Sequence, residues 1–115
     1  MSEQEKIVNN FIHLLKTVPS LFSPEDRNEL SQLIDDESDD IDRLSTVICY
    51  WLEKHNDVDI ALESLEVKEN DERYFGITQY TIQIPDYQPN KATLKNAIHQ
   101  TKNGSEFNNK KNNQL

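Results

Sequence analysis

The chain has 115 residues, 35% of them hydrophobic and 29% charged, and its formal net charge is −9. This length and composition exclude several domains and allow one domain with a modest core. No apolar run approaches the roughly 20 residues that span a bilayer, and the acidic start MSEQEKIVNN is unlike a secretory signal, so we expect a cytoplasmic protein without membrane contact.

The first two helices are predicted from apolar spacing and from capping signals. The stretch EQEKIVNNFIHLLKTV has apolar residues at helical spacing and stops at Pro19; these residues are Ile7, Phe11, Leu14, Leu15 and Val18. In SPEDRNELSQLI, Ser23 is a natural N-cap and Pro24 takes the first helical position. This second helix is short, and its predicted buried residues are Leu30, Leu33 and Ile34.

Two further helices are predicted in the middle of the chain. The stretch DDIDRLSTVICYWLEKH repeats apolar residues on one face; they are Ile41, Leu44, Val47, Ile48, Trp51 and Leu52. Acidic residues open this third helix and Lys54 with His55 close it, as the helix dipole prefers. A fourth helix follows Asn56 or Asp57, with Val58, Ala61, Leu62 and Leu65 on one side.

One stretch, YFGITQYTIQI at residues 74–84, is rich in aromatic and β-branched residues and predicts a strand. Because a lone strand leaves its backbone groups unpaired, it needs a partner. We favour an internal hairpin in which LEVKE, residues 65–69, pairs with residues 73–77. The alternative is pairing across chains, in a homodimer through the strand 74–84 or with a target peptide.

The remaining sequence completes the predicted fold. Asn90 is expected to cap a last helix whose small apolar face holds Leu94, Ala97 and Ile98. The Asn/Lys-rich segment 102–115 has almost no apolar content and predicts a disordered tail. We therefore expect one domain, residues 1–101, of mainly α class: a small bundle of four to five helices with one strand or short β-hairpin near residues 65–84.

The joint between helices two and three, IDDESDDID, has six carboxylates in nine residues. Ile34 ends the apolar face of helix two and Ile41 begins that of helix three, so the acidic residues between them should face solvent. Some of them can cap helix three, and the remaining charge would attract a basic protein surface. We expect a docking face, with a merely solvated joint as the alternative; its residues are Asp35, Asp36, Glu37, Asp39, Asp40 and Asp42.

Three aromatic residues are candidate interface anchors: Tyr50, Trp51 and Tyr80. Aromatic side chains are enriched at the energetic centres of interfaces. A tryptophan in a periodic apolar seam is more commonly a core residue, however, which leaves two alternatives open for Trp51.

Metal binding and catalysis find little support in the residue pattern. Asp35, Glu37 and Asp39 fit the start of an EF-hand-like loop, but its sixth position is Asp40 instead of glycine and its twelfth is Thr46 instead of glutamate. The three histidines fall in different elements, and zinc prefers clustered Cys and His. We expect no metal and no cofactor.

A nucleophilic enzyme is also disfavoured. The side chains of Cys49 and His55, six positions apart, would lie about 120° apart around a helix, too far round for a catalytic pair. The chain has two glycines, Gly76 and Gly104, which cannot form a glycine-rich phosphate loop. We therefore expect a protein that is not an enzyme.

The charge distribution favours a protein partner over nucleic acid. Residues 1–72 hold 19 acidic residues against 6 Lys/Arg, a balance of −13, whereas residues 73–115 hold 2 against 6, a balance of +4. The acidic region would repel phosphates and attract basic surfaces. The leading hypothesis is a small acidic interaction module, an adaptor or regulator. The alternative is an acidic inhibitor or immunity-type protein that blocks a basic active site or nucleic-acid channel.

A resemblance suggests a further alternative. The stretches STVICYWLEKHNDVDIALESL and QPNKATLKNAI resemble the helical effector-associated domains of bacterial conflict and signalling systems. In those death-fold-like adaptors, a helix with a tryptophan precedes a turn containing proline and a short last helix. The resemblance covers residues 7–98 and rests on no specific motif, and the predicted strand has no counterpart in that family. It implies an adaptor function.

Removal of residues 102–115 should leave the stability of the domain nearly unchanged, because this segment has little apolar surface to bury. Thermal unfolding of the full and truncated chains tests this expectation. A loss above about 1 kcal/mol on truncation would instead mean that Phe107 or Leu115 packs on the core.

Overall fold

The computed structural model describes the backbone of residues 1–70 and 84–99, with side chains for all of these except 66–70. Within this part the chain forms helices and no strand, which confirms the mainly helical class. The helices are α1 (Glu3–Thr17), a 3₁₀ turn (Pro19–Leu21), α2 (Pro24–Asp35), α3 (Ile41–Leu52), α4 (Asn56–Asn70) and α5 (91–99). None of the helices described is long and apolar enough to cross a membrane.

Capping residues define where three of these helices begin. Ser23 accepts a hydrogen bond from the Asp26 amide at 3.0 Å, and the Asp26 carboxylate accepts one from the Ser23 amide at 3.0 Å. This reciprocal capping box satisfies two amides that lack helical partners. Asn90 caps α5 by accepting from the Thr93 amide at 2.8 Å, as predicted. A second capping box begins α1 at Ser2.

The core is built around α1, which packs against both α3 and α4. The α1 residues Val8, Phe11, Ile12 and Leu15 have no exposed surface. Each of the other helices contributes apolar residues to the same cluster, as their spacing predicted; these include Leu30, Ile34, Leu44, Ile48, Val58, Leu62, Leu94, Ala97 and Ile98.

An aromatic cluster joins α1, α2 and α3. Trp51 is 2% exposed, and its ring centroid lies 5.9 Å from that of Phe11 and 6.1 Å from that of Phe22. Its indole Nε1 donates to Glu29 Oε1 at 2.9 Å, so the one polar atom of the side chain is satisfied. His55 stacks on the indole at a centroid distance of 3.7 Å. Trp51 is therefore a core residue.

A buried amide sets the path of the chain before α5. Asn9 is 3% exposed; its Nδ2 donates to the Pro85 carbonyl at 2.8 Å and its Oδ1 accepts from the Tyr87 amide at 2.7 Å. The same side chain thus satisfies a donor and an acceptor of a segment without helix or strand. Gln88 then adopts a φ of 58°, in the left-handed region, and turns the chain towards α5.

Four details differ from the sequence prediction. The third helix ends at Leu52, so Lys54 and His55 lie beyond it and do not close it. The fourth helix begins at Asn56, so neither Asn56 nor Asp57 precedes it as a cap.

Val18, expected on the buried face of α1, is 38% exposed because the helix ends at Thr17 and Val18 only caps it. Residues 65–69 belong to α4, which continues to Asn70. The prediction that they form the first strand of a hairpin is therefore wrong. Once a helix has formed, each added residue gains a hydrogen bond at a small entropic cost, which favours continuing it.

Several predictions fall on parts of the chain outside the described residues. The strand 74–84 does so except for its last residue, Ile84, which is not in a strand. The tail 102–115 and the homodimer through the strand also involve undescribed residues. These three remain predictions.

Replacement of Trp51 with alanine should lower the free energy of unfolding by about 3–5 kcal/mol, because it removes a buried aromatic side chain and leaves a cavity. Urea unfolding followed by circular dichroism measures this, since the variant has no tryptophan fluorescence. The matched control is Tyr50→Ala at the neighbouring position, which is 55% exposed and should change stability by less than about 0.5 kcal/mol. Equal losses in the two variants would contradict the placement of Trp51 in the core.

Candidate partner-binding surface

The acidic joint, residues 35–42, connects the end of α2 to the start of α3 on the surface of the bundle. Ile34 is buried just before it, and Ile41, its last residue but one, packs against the core, so the segment is fixed at both ends. Of its six carboxylate residues, Glu37 is half-buried and the other five are exposed. The joint therefore presents a dense negative surface at one end of the α2–α3 pair.

Asp40 has a structural role at the start of α3. Its Oδ1 accepts from the amides of Asp42 at 2.9 Å and Arg43 at 3.4 Å. A carboxylate in this position satisfies free amides and complements the positive end of the helix dipole. The predicted cap is confirmed, and this charge is used within the fold.

Lys91, the first residue of α5, contacts the acidic joint although it lies more than fifty residues after Asp39 in the chain. Its backbone amide donates to Asp39 Oδ1 at 3.0 Å. Its Nζ donates to the carbonyls of Glu37 at 2.6 Å and Asp35 at 3.2 Å, which are free carbonyls at and beyond the end of α2. A lysine at a helix C-terminus satisfies such carbonyls and offsets the negative end of the dipole.

Asp35 forms an ion pair with Lys95, one turn further along α5. The hydrogen bond from Lys95 holds the pKa of the Asp35 carboxyl below its usual value, with additional attraction from Lys95 itself, Lys91 and His99. Together Lys91 and Lys95 therefore join α5 to the acidic joint through charged contacts.

The outer part of the joint consists of Asp36, Glu37 and Asp42. Asp36 and Asp42 are exposed, and Glu37 lies 3.7 Å from the guanidinium of Arg43. An open groove of about 340 Å³ lies beside them on the outward face of α3. Glu37, Asp42, Arg43, Thr46 and Val47 line it. This is the part of the joint that combines negative charge with a concave surface.

The three candidate interface aromatics have different environments. Tyr50 is exposed on α3, with Lys54 Nζ 5.1 Å from the centre of its ring. Trp51 is buried in the core and has no surface to offer a partner, so its suggested role as an interface anchor is not supported. Tyr80 lies outside the described residues. Of the two that are described, Tyr50 has exposed surface to offer an interface, and the expectation for Tyr80 stays a prediction.

The histidines and the cysteine do not converge on a site. His13 Nδ1 lies 2.9 Å from the Tyr87 hydroxyl, His55 Nε2 lies 3.3 Å from Asp26 Oδ1, and His99 contacts Ser31. Burial lowers the pKa of His13 and raises that of Tyr87. Among the described residues, no group of three or more His, Cys, Asp or Glu side chains is placed to hold a metal ion.

The contribution of α5 to this surface was missed by the sequence analysis. Lys91 and Lys95 are separated from the joint by more than fifty residues, and no local pattern connects them. The only signal was the positive balance of the C-terminal region, which is complementary to the acidic N-terminal region. The groove residues Arg43, Thr46 and Val47 were also missed as a surface feature.

Comparison with known proteins gives no further constraint. No protein-family model, curated protein or solved structure matches this chain. The resemblance to effector-associated domains gains no support from these comparisons and stays a hypothesis. The charges and geometry of the joint are therefore the observations that bear on function.

The Asp35 to Lys95 contact should make the domain less stable in acid. Because the pKa of Asp35 is lowered in the folded state, its contribution is present above the usual aspartate value of 3.8 and is lost as the pH falls below it. Asp35→Asn should lose this contribution at neutral pH and show a weaker acid dependence. Thermal unfolding at a series of pH values measures both effects.

The matched control for that experiment is Asp36→Asn, which removes the same charge from the adjacent residue and leaves the Lys95 contact in place. A Lys95→Met change completes a double-mutant cycle with Asp35→Asn. Equal acid dependence in the two aspartate variants, or no coupling between Asp35 and Lys95, would show that this ion pair does not contribute to stability.

Proposed function

We propose that this protein is a small, non-enzymatic interaction module that docks on a basic protein surface through the outer part of its acidic joint. The observation that carries the proposal is the excess of negative charge at the joint. Six carboxylates lie there, and three cationic residues in the described part of the chain contact it, namely Arg43, Lys91 and Lys95. The joint and the three cations together therefore carry a net charge of about −3.

The contacts divide the joint into structural and exposed carboxylates. Asp35, Asp39 and Asp40 hold α5 or cap α3, as described above. Asp36 and Asp42 are exposed, and Glu37 is paired with the exposed Arg43, an arrangement that contributes little to stability in water. We therefore assign docking to Asp36, Glu37 and Asp42, a smaller set than the six residues expected from the sequence.

The physical basis of docking is electrostatic complementarity. Like charges held close together on a surface create a local negative potential that accelerates encounter with basic partners and rejects acidic ones. The same potential repels nucleic-acid phosphates, so the proposed partner is a protein. We expect the interaction to occur in the cytoplasm, where a single cysteine such as Cys49 stays reduced.

Neutralising the exposed carboxylates should weaken docking without unfolding the domain. The docking variant is Asp36→Asn with Asp42→Asn, and the probe is a synthetic amidated peptide with Lys and Leu at helical spacing. Titration of the ¹⁵N-labelled protein by NMR gives the dissociation constant and the residues that shift. We expect about a fivefold or greater loss of affinity, and weaker binding of the native chain above about 0.15 M salt, where the Debye length is about 8 Å.

The matched control carries Asp57→Asn and Glu63→Gln on α4, which removes two exposed carboxylates elsewhere. Asp57 lies in the first turn of its helix, as Asp42 does in α3, so both variants make a similar change to a helix dipole. Thermal unfolding verifies that each variant is folded. Equal losses of affinity in the two variants, or binding indifferent to salt, would contradict docking at the joint.

The inhibitor hypothesis uses the same docking surface as the adaptor hypothesis. The two differ in what binding does to the partner. An inhibitor abolishes the activity of a partner enzyme at one-to-one stoichiometry, whereas an adaptor leaves that activity intact. No feature of the described residues favours the inhibitor, so the adaptor or regulator is retained as the proposed function.

A further inference from the structure

The outward face of α3 extends the acidic joint into a surface with both charged and apolar parts. Arg43, Val47 and Tyr50 follow one another at helical spacing along this face. Val47 is partly buried against the core, and Tyr50 is largely exposed. The groove is lined by Glu37, Asp42, Arg43, Thr46 and Val47. Tyr50 lies one turn beyond Val47 on the same helix, outside this lining, with Lys54 Nζ 5.1 Å from the centre of its ring.

The chemistry of the groove selects a cationic side chain. Glu37 and Asp42 stand at its walls, while Asp40 already covers the free amides at the start of α3. Because this cap offsets the positive end of the helix dipole, the groove keeps a negative character. Carboxylates form their strongest hydrogen bonds with guanidinium and ammonium groups.

Arg43 shows where such a cation would lie. Its guanidinium is 3.7 Å from Glu37 Oε1, and the Arg43 side chain is 69% exposed. The Glu37 side chain is 25% exposed. Because Arg43 reaches it from solvent, water and salt still screen the pair and weaken it. An incoming cation can therefore replace Arg43 beside Glu37 with little loss of stability. In the free protein, Arg43 occupies the position that the partner's cation would take.

The groove is open to solvent and has room for a long side chain. Its volume, about 340 Å³, is at the small end of the range for ligand pockets. Lysine and arginine have apolar stems that pack on apolar surface while the charged group stays in a polar environment. Val47 and the methyl group of Thr46 supply such an apolar surface, since both residues line the groove together with Glu37 and Asp42.

We propose that this groove binds one Lys or Arg side chain from a basic, amphipathic segment of a partner protein. The cation replaces Arg43 beside Glu37, its stem lies over Thr46 and Val47, and an apolar neighbour in the same segment packs against Tyr50. This inference rests on the proposed function and specifies the partner and the seat of the interaction.

The first test removes the internal cation. Arg43→Gln should increase affinity for the Lys/Leu peptide by about fivefold, because the groove loses its competitor and gains negative character. The matched control is Lys6→Gln, an exposed lysine on α1 whose loss changes the net charge by the same amount. We expect this control to change affinity by less than about twofold.

The second test blocks the groove. Thr46→Lys places a cation and added volume among the carboxylates and should reduce affinity by about tenfold, whereas Thr46→Ser should have little effect. Tyr50→Ala should reduce affinity about fivefold by removing an aromatic contact. Thermal unfolding of each variant verifies folding, and NMR titration shows whether the α3 amides shift.

The outcomes separate the two proposals. Loss of affinity in the Asp36 and Asp42 variant, together with no effect of Thr46→Lys or Tyr50→Ala, would overturn the groove and leave docking at the joint intact. Equal gains for Arg43→Gln and Lys6→Gln would also overturn it, since net charge alone would then explain both. Native protein that does not bind the basic peptide at low salt would overturn the proposed function itself.

Discussion

Burial of Trp51 is the interaction on which the arrangement of the first three helices depends. Its ring contacts Phe11 on α1 and Phe22 after the 3₁₀ turn, and its indole nitrogen donates to Glu29 on α2. A buried indole without an acceptor would be costly, so Glu29 fixes how α2 lies against α3. This single side chain therefore links the two helices that flank the acidic joint to each other and to α1.

The position of α5 follows from a second constraint, the Asn9 amide. By bonding the backbone at Pro85 and Tyr87, Asn9 holds the segment that leads to the Asn90 cap. The cap defines the start of α5, and the first residue after it is Lys91, which then lies at the end of α2. A polar residue buried in α1 thus brings a cation to a distant acidic turn.

The carboxylates of the acidic joint are divided between contacts within the fold and the docking role proposed above. Three of its carboxylates hold α3 and α5, while apolar burial of Leu94, Ala97 and Ile98 supplies most of the attachment of α5. Charge screening by a partner would therefore not release α5 from the bundle. Of the three carboxylates in the proposed docking set, Asp36 and Asp42 are exposed, and Glu37 is paired with Arg43.

The sequence by itself determined the helices, their caps and most of the core, because these depend on residues close together in the chain. Apolar spacing identified the buried face of α3, and Ser23 and Asn90 marked helix starts through local side chain to backbone bonds. The acidic residues before α3 predicted a cap there, and the structure assigns it to Asp40. The segment 65–69 was misjudged, since its composition alone could not show that α4 continues through it. Local patterns also correctly located the acidic joint as an exposed turn.

The tertiary structure decided which carboxylates are used within the fold. Asp35 and Asp39 contact residues more than fifty positions away, and Asn9 bonds a segment 76 positions away. The tertiary structure also decided that Trp51 is buried and that Tyr50, its neighbour, is exposed. Such pairings depend on how whole helices pack, which is set by the sum of many weak apolar contacts and by no short stretch of sequence.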